Sequence, residues 1–310
     1  MTPFAMVLSA LVLTLLVGSW YALPGPWARL LVRGAVRAAG LRTRHMTVSG
    51  VQWQYLEGGR GPVLILLHGF GAEASHWLML ARGLRRNFRL LIPDLPGFGN
   101  SRMPEPFDFS IDVQARRVLD WLDALRVDSF LIGGSSMGGW IAATIAANNP
   151  QRVRALWLQD PLGVSLASAS EFTQTQVRTG RHPFEIANQR QYRELVRSLF
   201  GGRPPPIPWP LRYTSSARFR QLRTMKDRLE HQVTGYRPPL EDLVAQLRMP
   251  VLIEWGGRDR AVHPDGARIL GDRLPQAEIV VHPGVGHLPM LEAPGQSRRA
   301  FQAFCIRHGL

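Results

Sequence analysis

Phe130-Leu131-Ile132-Gly133-Gly134-Ser135-Ser136-Met137-Gly138-Gly139 is the stretch on which the fold turns. An apolar run enters it, and Ile141-Ala142-Ala143-Thr144-Ile145-Ala146-Ala147 leaves it. That order reads as strand, tight turn, helix. Gly134 to Gly138 fits G-x-S-x-G with Ser136 at the centre. A serine there sits on a strained turn with its hydroxyl clear of the sheet edge. Side chains two residues to either side would collide, so glycine is needed at both places. The register is unambiguous, because centring on Ser135 would need glycine where Met137 stands.

A serine hydroxyl is a weak nucleophile near neutral pH. It needs a base, and the base needs an orienting carboxylate. In this strand-turn-helix context the partners follow in the order Ser, Asp or Glu, His. Asp259 lies in Gly256-Gly257-Arg258-Asp259, just past the apolar strand Val251-Leu252-Ile253-Glu254-Trp255. His287 lies in Pro283-Gly284-Val285-Gly286-His287, past the strand Glu278-Ile279-Val280-Val281. Both loops follow strand carboxyl ends, where active-site loops of open parallel sheets gather. Asp160, after Val153–Leu158, is a second place for the acid, and His282 is a second histidine near the base position. Asp94, early in a Pro-Gly turn, reads as structural. The oxyanion needs two backbone N–H donors. Met137, next after Ser136, supplies one, and Phe70, in the loop after Val63-Leu64-Ile65-Leu66-Leu67, supplies the other. His68 reads as a packing and hydrogen-bonding residue of that loop.

Repeated β-α order runs through the chain, with strands expected at 46–48, 51–56, 63–67, 89–93, 130–132 and 153–158. Helices are expected at 74–86, after Ser110 as a cap, and after the elbow. From about 165 to 245 the alternation stops, and Pro204-Pro205-Pro206-Ile207-Pro208-Trp209-Pro210 interrupts two helical patterns at 185–200 and 214–234. This reads as an inserted helical cap. The alternation then resumes to the end, with helices expected at 263–274 and 295–307. The fold class is therefore α/β, a mostly parallel sheet with helices on both faces.

Pro3 to Leu23 carries no charge. About twenty apolar residues suffice to span a bilayer as a helix. Trp20, Tyr21 and Trp27 sit where an interfacial aromatic belt would be, and Arg29, Arg33, Arg37, Arg42 and Arg44 follow. The expectation is a transmembrane anchor over 1–24, a basic juxtamembrane helix over 25–42 able to lie on the membrane surface, and a catalytic domain over 43–310 on the cytoplasmic side. A cleaved secretory signal would want a basic leader and a shorter apolar run. Of 37 basic residues in a chain of net charge +14, only Lys226 is lysine. The arginines are scattered with no recognition motif, which argues against nucleic acid, and a cationic face against anionic lipid suits the N-terminus better. Cys305 is the sole cysteine, so neither an intrachain disulfide nor a cysteine metal site can form. No metal and no organic cofactor is called for.

His68-Gly69-Phe70-Gly71, Asp94-Leu95-Pro96-Gly97-Phe98-Gly99, Gly134-Ser135-Ser136-Met137-Gly138-Gly139, Trp255-Gly256-Gly257-Arg258-Asp259 and Gly286-His287 together resemble the α/β-hydrolase fold family. The chain is further similar to membrane-anchored monoacylglycerol lipases of the abhydrolase-domain type and to related bacterial lipases. That similarity rests on the N-terminal span, His68-Gly69-Phe70-Gly71-Ala72 continuing to Trp77, Ser110-Ile111-Asp112 and Asp160-Pro161-Leu162-Gly163. The resemblance implies carboxylester hydrolysis through an acyl-enzyme on a lipid-like ester. Serine at position 136 argues against haloalkane dehalogenases and epoxide hydrolases, which place aspartate there. C–C bond or thioester hydrolysis on the same triad, and a non-catalytic membrane adaptor, stay open. The cap residues Phe184, Leu195, Leu199, Phe200, Ile207, Trp209 and Leu211 are candidates to line an acyl tunnel, or to be ordinary cap core.

Overall fold

The computed structural model describes residues 3–105, 108–222 and 238–310. Eight strands form one sheet in the order β1-β2-β4-β3-β5-β6-β7-β8. They are β1 (Arg42–Val48), β2 (Val51–Gly58), β3 (Val63–Leu67), β4 (Arg89–Pro93), β5 (Phe130–Ser135), β6 (Val153–Gln159), β7 (Val251–Gly256) and β8 (Glu278–His282). β1 and β2 pair antiparallel across Ser49 and Gly50, both with positive φ, and β2 joins β4 antiparallel. From β4 to β8 every pairing is parallel.

The sequence sorts itself onto two faces by the period of two. Ile65, Leu67, Leu91, Ile132, Leu156, Leu158, Val251 and Ile253 enter one core cluster. Their neighbours Leu64, Leu66, Leu90, Ile92, Leu131, Ala155, Trp157 and Leu252 enter a second. Both sides of the central strands are therefore buried, which is why those segments read as unbroken apolar runs. Trp157 stacks on Phe301, with ring centroids 4.2 Å apart. Phe301 belongs to the C-terminal helix α12 (Pro294–Arg307), so that helix is held against its face.

Between the strands lie α3 (Leu78–Leu84), α4 (Ile111–Ala124), α5 (Met137–Asn148), the cap helices α6 (Glu171–Thr179), α7 (Gln189–Leu199) and α8 (Trp209–Leu222), then α9 (Leu240–Val244) and α10 (Asp265–Arg273); α11 (Pro289–Glu292) follows β8. Several departures from the sequence expectation have local causes. The helix expected over 74–86 opens as a 3₁₀ turn, Ala74–Trp77, before α3. Ser110 stands at the N-cap of α4 but gives no cap to the helix N–H groups. Its hydroxyl donates to Asp108 instead, at 2.7 Å. The pattern at 185–200 becomes helix only from Gln189, because Asn188 accepts the Gln191 N–H and starts it there. The pattern at 214–234 begins earlier, at Trp209, and its part beyond 222 lies outside the described residues. α6 was not expected, since its apolar content is low; Ser170 caps it and Gly180 closes it with φ +65°.

The N-terminal helix α1 (Pro3–Ala22) has a 19-residue stretch, Phe4–Ala22, long and apolar enough to cross a membrane. It is exposed along its length, with Phe4 77% and Val7 69% accessible. α2 (Pro24–Ala38) follows after a single residue. Its amphipathic pattern is one able to lie on a membrane surface. Part of its apolar side packs on the α/β domain, with Ala28 and Val36 buried, while Leu30, Arg29, Arg33 and Arg37 stay exposed. Trp27 Nε1 donates to Ser19 at 3.1 Å, and Tyr21 packs on Trp209 of the cap at 6.1 Å. The end of α1 is thereby tied to both α2 and α8.

Candidate active site

Ser136 takes φ +55° and ψ −121°, a conformation that side chains rarely adopt. The glycines around it are there for space. A Cβ on Gly134 would lie 2.1 Å from the Gly138 carbonyl oxygen, and one on Gly138 would lie 2.4 Å from that of Leu67. The turn is braced from β6, where Ser136 N–H donates to Gln159 O at 3.0 Å. Leu162 N–H in turn donates to Ser136 O, also at 3.0 Å. Met137 is the first residue of α5, so its N–H has no carbonyl behind it within the helix. Among the described residues the Ser136 hydroxyl makes no hydrogen bond. Catalytic contacts of this kind often tighten only with substrate bound.

His287 and Asp259 meet. Nδ1 of His287 donates to Oδ2 of Asp259 at 2.7 Å, and both side chains are almost fully buried. The other oxygen of Asp259 accepts from Ala261 N–H at 2.7 Å and Val262 N–H at 3.0 Å. His287 is held from its backbone, its N–H donating to Leu199 O in the cap at 2.7 Å. The rival histidine is engaged elsewhere. His282 Nε2 bonds Glu254 Oε1 at 2.7 Å, and Trp157 Nε1, Gln159 Nε2 and Ser297 Oγ converge on the other oxygen of Glu254. Four partners around one buried carboxylate make a closed polar node under the sheet end. The rival acid is not elsewhere. Asp160 lies beside Asp259, with φ +45°.

The loop after β3 faces the serine. A Cβ on Gly69 would lie 3.0 Å from that of Ser136, so only glycine lets this backbone approach. Asp94 staples the loop to its neighbours by accepting from Ala74 N–H at 2.7 Å and Asn100 N–H at 2.8 Å. His68 holds it from beneath. Its Nδ1–H donates to Gly69 O at 2.8 Å and its Nε2 accepts from Leu95 N–H at 2.9 Å, which fixes a neutral tautomer. Burial lowers its pKa from 6.5 to about 4. The unfolded chain therefore takes up a proton, as pH falls from 6.5 towards 4, that the folded protein refuses. This contribution to stability is complete above pH 6.5 and declines towards pH 4, by up to about 3 kcal/mol for this group. Chemical denaturation between pH 7.5 and 4.5 should show a shallower decline in His68→Gln than in the native protein.

A cavity of about 410 Å³ opens over Ser136 and His287. Of the expected cap lining, Phe184, Leu195, Leu199, Phe200, Ile207 and Leu211 reach it. Trp209 does not. It opens α8 on the side that meets α1, where its ring packs on Tyr21 and Tyr213. Phe70 is in the wall, its ring 5.2 Å from that of Phe184. Sequence reasoning missed one whole side: Leu31, Val32 and Ala35 of α2 also line the cavity. The signal was the apolar spacing of α2, read only as able to face a membrane surface.

Residues 62–294 match the family model of the alpha/beta hydrolase fold. Lipase 1 of Psychrobacter immobilis is 30% identical over 260 residues, 83% of this chain and 81% of the relative. Monoacylglycerol lipase ABHD6 of Homo sapiens is 25% identical, covering 85% of this chain and 82% of its own. Among solved structures, a membrane phospholipase A described as a bacterial virulence factor superposes with a TM-score of 0.89 at 30% identity, over 99% of both chains. With the elbow, the sheet order and these likenesses together, the chain belongs to the alpha/beta hydrolase fold family.

Proposed function

We propose that this protein is a membrane-anchored serine hydrolase of carboxylic esters whose substrates are lipid-like, in the manner of a monoacylglycerol lipase. The observation that carries this reading is the cavity. It is predominantly apolar, begins at Ser136 and His287, and is walled by the cap on one side and by α2 on another. α2 continues almost directly from the membrane-length helix α1. An acyl chain fits such a wall, and the named relatives are themselves lipases.

In this reading Ser136 attacks the ester carbonyl. His287 Nε2 takes the hydroxyl proton and returns it to the leaving alcohol. Asp259 keeps Nδ1 protonated and stabilises the imidazolium that forms. The N–H groups of Met137 and Phe70 receive the oxyanion. Loss of one such donor costs about 100- to 1000-fold in kcat. Water then repeats the sequence on the acyl-enzyme. The anchor places the catalytic domain against the cytoplasmic face of the membrane, with the outward arginines of α2 towards anionic headgroups.

The test is a panel of p-nitrophenyl esters, acetyl to palmitoyl, on detergent-solubilised full-length protein. Turnover that favours medium or long acyl chains is expected; no turnover of any ester would sink the reading. Leu31→Trp, which fills the α2 side, should lower kcat/KM about ten- to a hundredfold for long chains and leave acetyl turnover nearly unchanged. Equal losses at every chain length would remove α2 from the acyl path.

A further inference from the structure

Asp160 is a buried carboxyl for which the reaction above has no use. It directly follows β6 in a backbone conformation that aspartate seldom takes, φ +45°, and it is wholly inaccessible. One oxygen, Oδ1, accepts the Gly256 N–H at 2.8 Å. Among the described residues no N–H or O–H points at the other, Oδ2. An oxygen of Asp160, an oxygen of Asp259 and a ring nitrogen of His287 lie within 4.8 Å of one another. A cation is a poor explanation of this cluster, since Asp259 Oδ2 and His287 Nδ1 are already bonded to each other.

Asp259 is occupied as an acceptor on both oxygens, by His287, Ala261 and Val262. Two ionised carboxylates in contact in a dry interior are prohibitive. The orphaned oxygen of Asp160 can bond its neighbour only by carrying a hydrogen. From this arrangement we infer that Asp160 is a positioning residue: it stays protonated and donates a hydrogen bond from Oδ2 to the carboxylate of Asp259. Burial, then the charge of Asp259, pushes the Asp160 carboxyl well above its usual range, and Glu254 on β7 adds in the same direction. The other titratable groups around the cluster are His282, paired with Glu254, and Glu292 on α11, whose carboxylate accepts from Gly286 and Leu288 N–H.

The inference rests on the triad reading and sharpens it. A neutral donor disperses the charge of Asp259 and so weakens its pull on the imidazolium that forms at His287. It also fixes the carboxylate plane against His287.

The experiment is the pH profile of kcat/KM for the native protein, Asp160→Asn and Asp160→Ala, with fluorophosphonate labelling of each. Asparagine keeps both bonds, with its oxygen on Gly256 and its amide on Asp259. It should retain activity within about threefold and an unshifted profile, because the donor survives. Alanine removes the donor. It should lower kcat about ten- to a hundredfold with little change in KM, and move the acid limb to higher pH. Loss of activity in Asp160→Asn comparable to that of Asp259→Asn would overturn the inference, since Asp160 would then be needed as an ionised acid. So would an unshifted acid limb in Asp160→Ala. Absence of labelling at Ser136 in the native protein would fail the triad reading itself, and the inference with it; native labelling with flat Asp160 variants would fail the inference alone.

Discussion

Ser136→Ala is expected to lower kcat on an acyl ester by about a million-fold, with KM little changed. In the proposed mechanism the serine forms the covalent bond, and nothing else in the cavity substitutes for it. Its hydroxyl makes no hydrogen bond among the described residues, and alanine accepts the same backbone as readily as serine does. The unfolding midpoint should therefore barely move, and fluorophosphonate labelling should vanish. A variant that keeps its labelling, or more than a thousandth of its turnover, would place the nucleophile elsewhere. Such a result would also leave the strained φ of +55° without a chemical purpose.

Asp259→Asn should cost about ten-thousand-fold, less than the loss of the serine. The amide keeps the shape of the carboxylate but offers His287 Nδ1 an N–H as readily as an oxygen. The histidine then adopts the tautomer that cannot accept the serine proton, and its cation loses its counter-charge. The side chain has almost no exposure and its oxygens hold Ala261 and Val262, so alanine would also disturb the loop. Asparagine isolates the electrostatic part. Near-normal kcat in Asp259→Asn would transfer the acid role to Asp160.

Much of this protein was legible because its determining constraints are local. Gly134 and Gly138 are demanded by atoms within five residues of each other or on the adjoining strand. The central strands read as apolar runs because both faces are covered. The membrane-length helix is a matter of length and composition. Where the reading went astray, the deciding partner was distant in sequence. Trp209 looked like acyl lining until Tyr21, far upstream, packed on it. That α2 also walls the cavity was not legible, because an amphipathic pattern states that one side is apolar but not what covers it.

The sequence by itself determined the fold class, the elbow with Ser136 at its tip, and the order of serine, aspartate and histidine along the chain. Steric exclusion at short range and the period of two along a strand suffice for those. Only the tertiary structure decided that His287 rather than His282 bonds Asp259, and that Asp160 lies against the same carboxylate. It alone placed α2 in the cavity wall. The reason is the strand order: β6, β7 and β8 are neighbours in the sheet, although β6 and β7 are separated along the chain by the whole cap. Their carboxyl ends bring groups from three distant segments within hydrogen-bonding reach, and no local pattern encodes which of them meet.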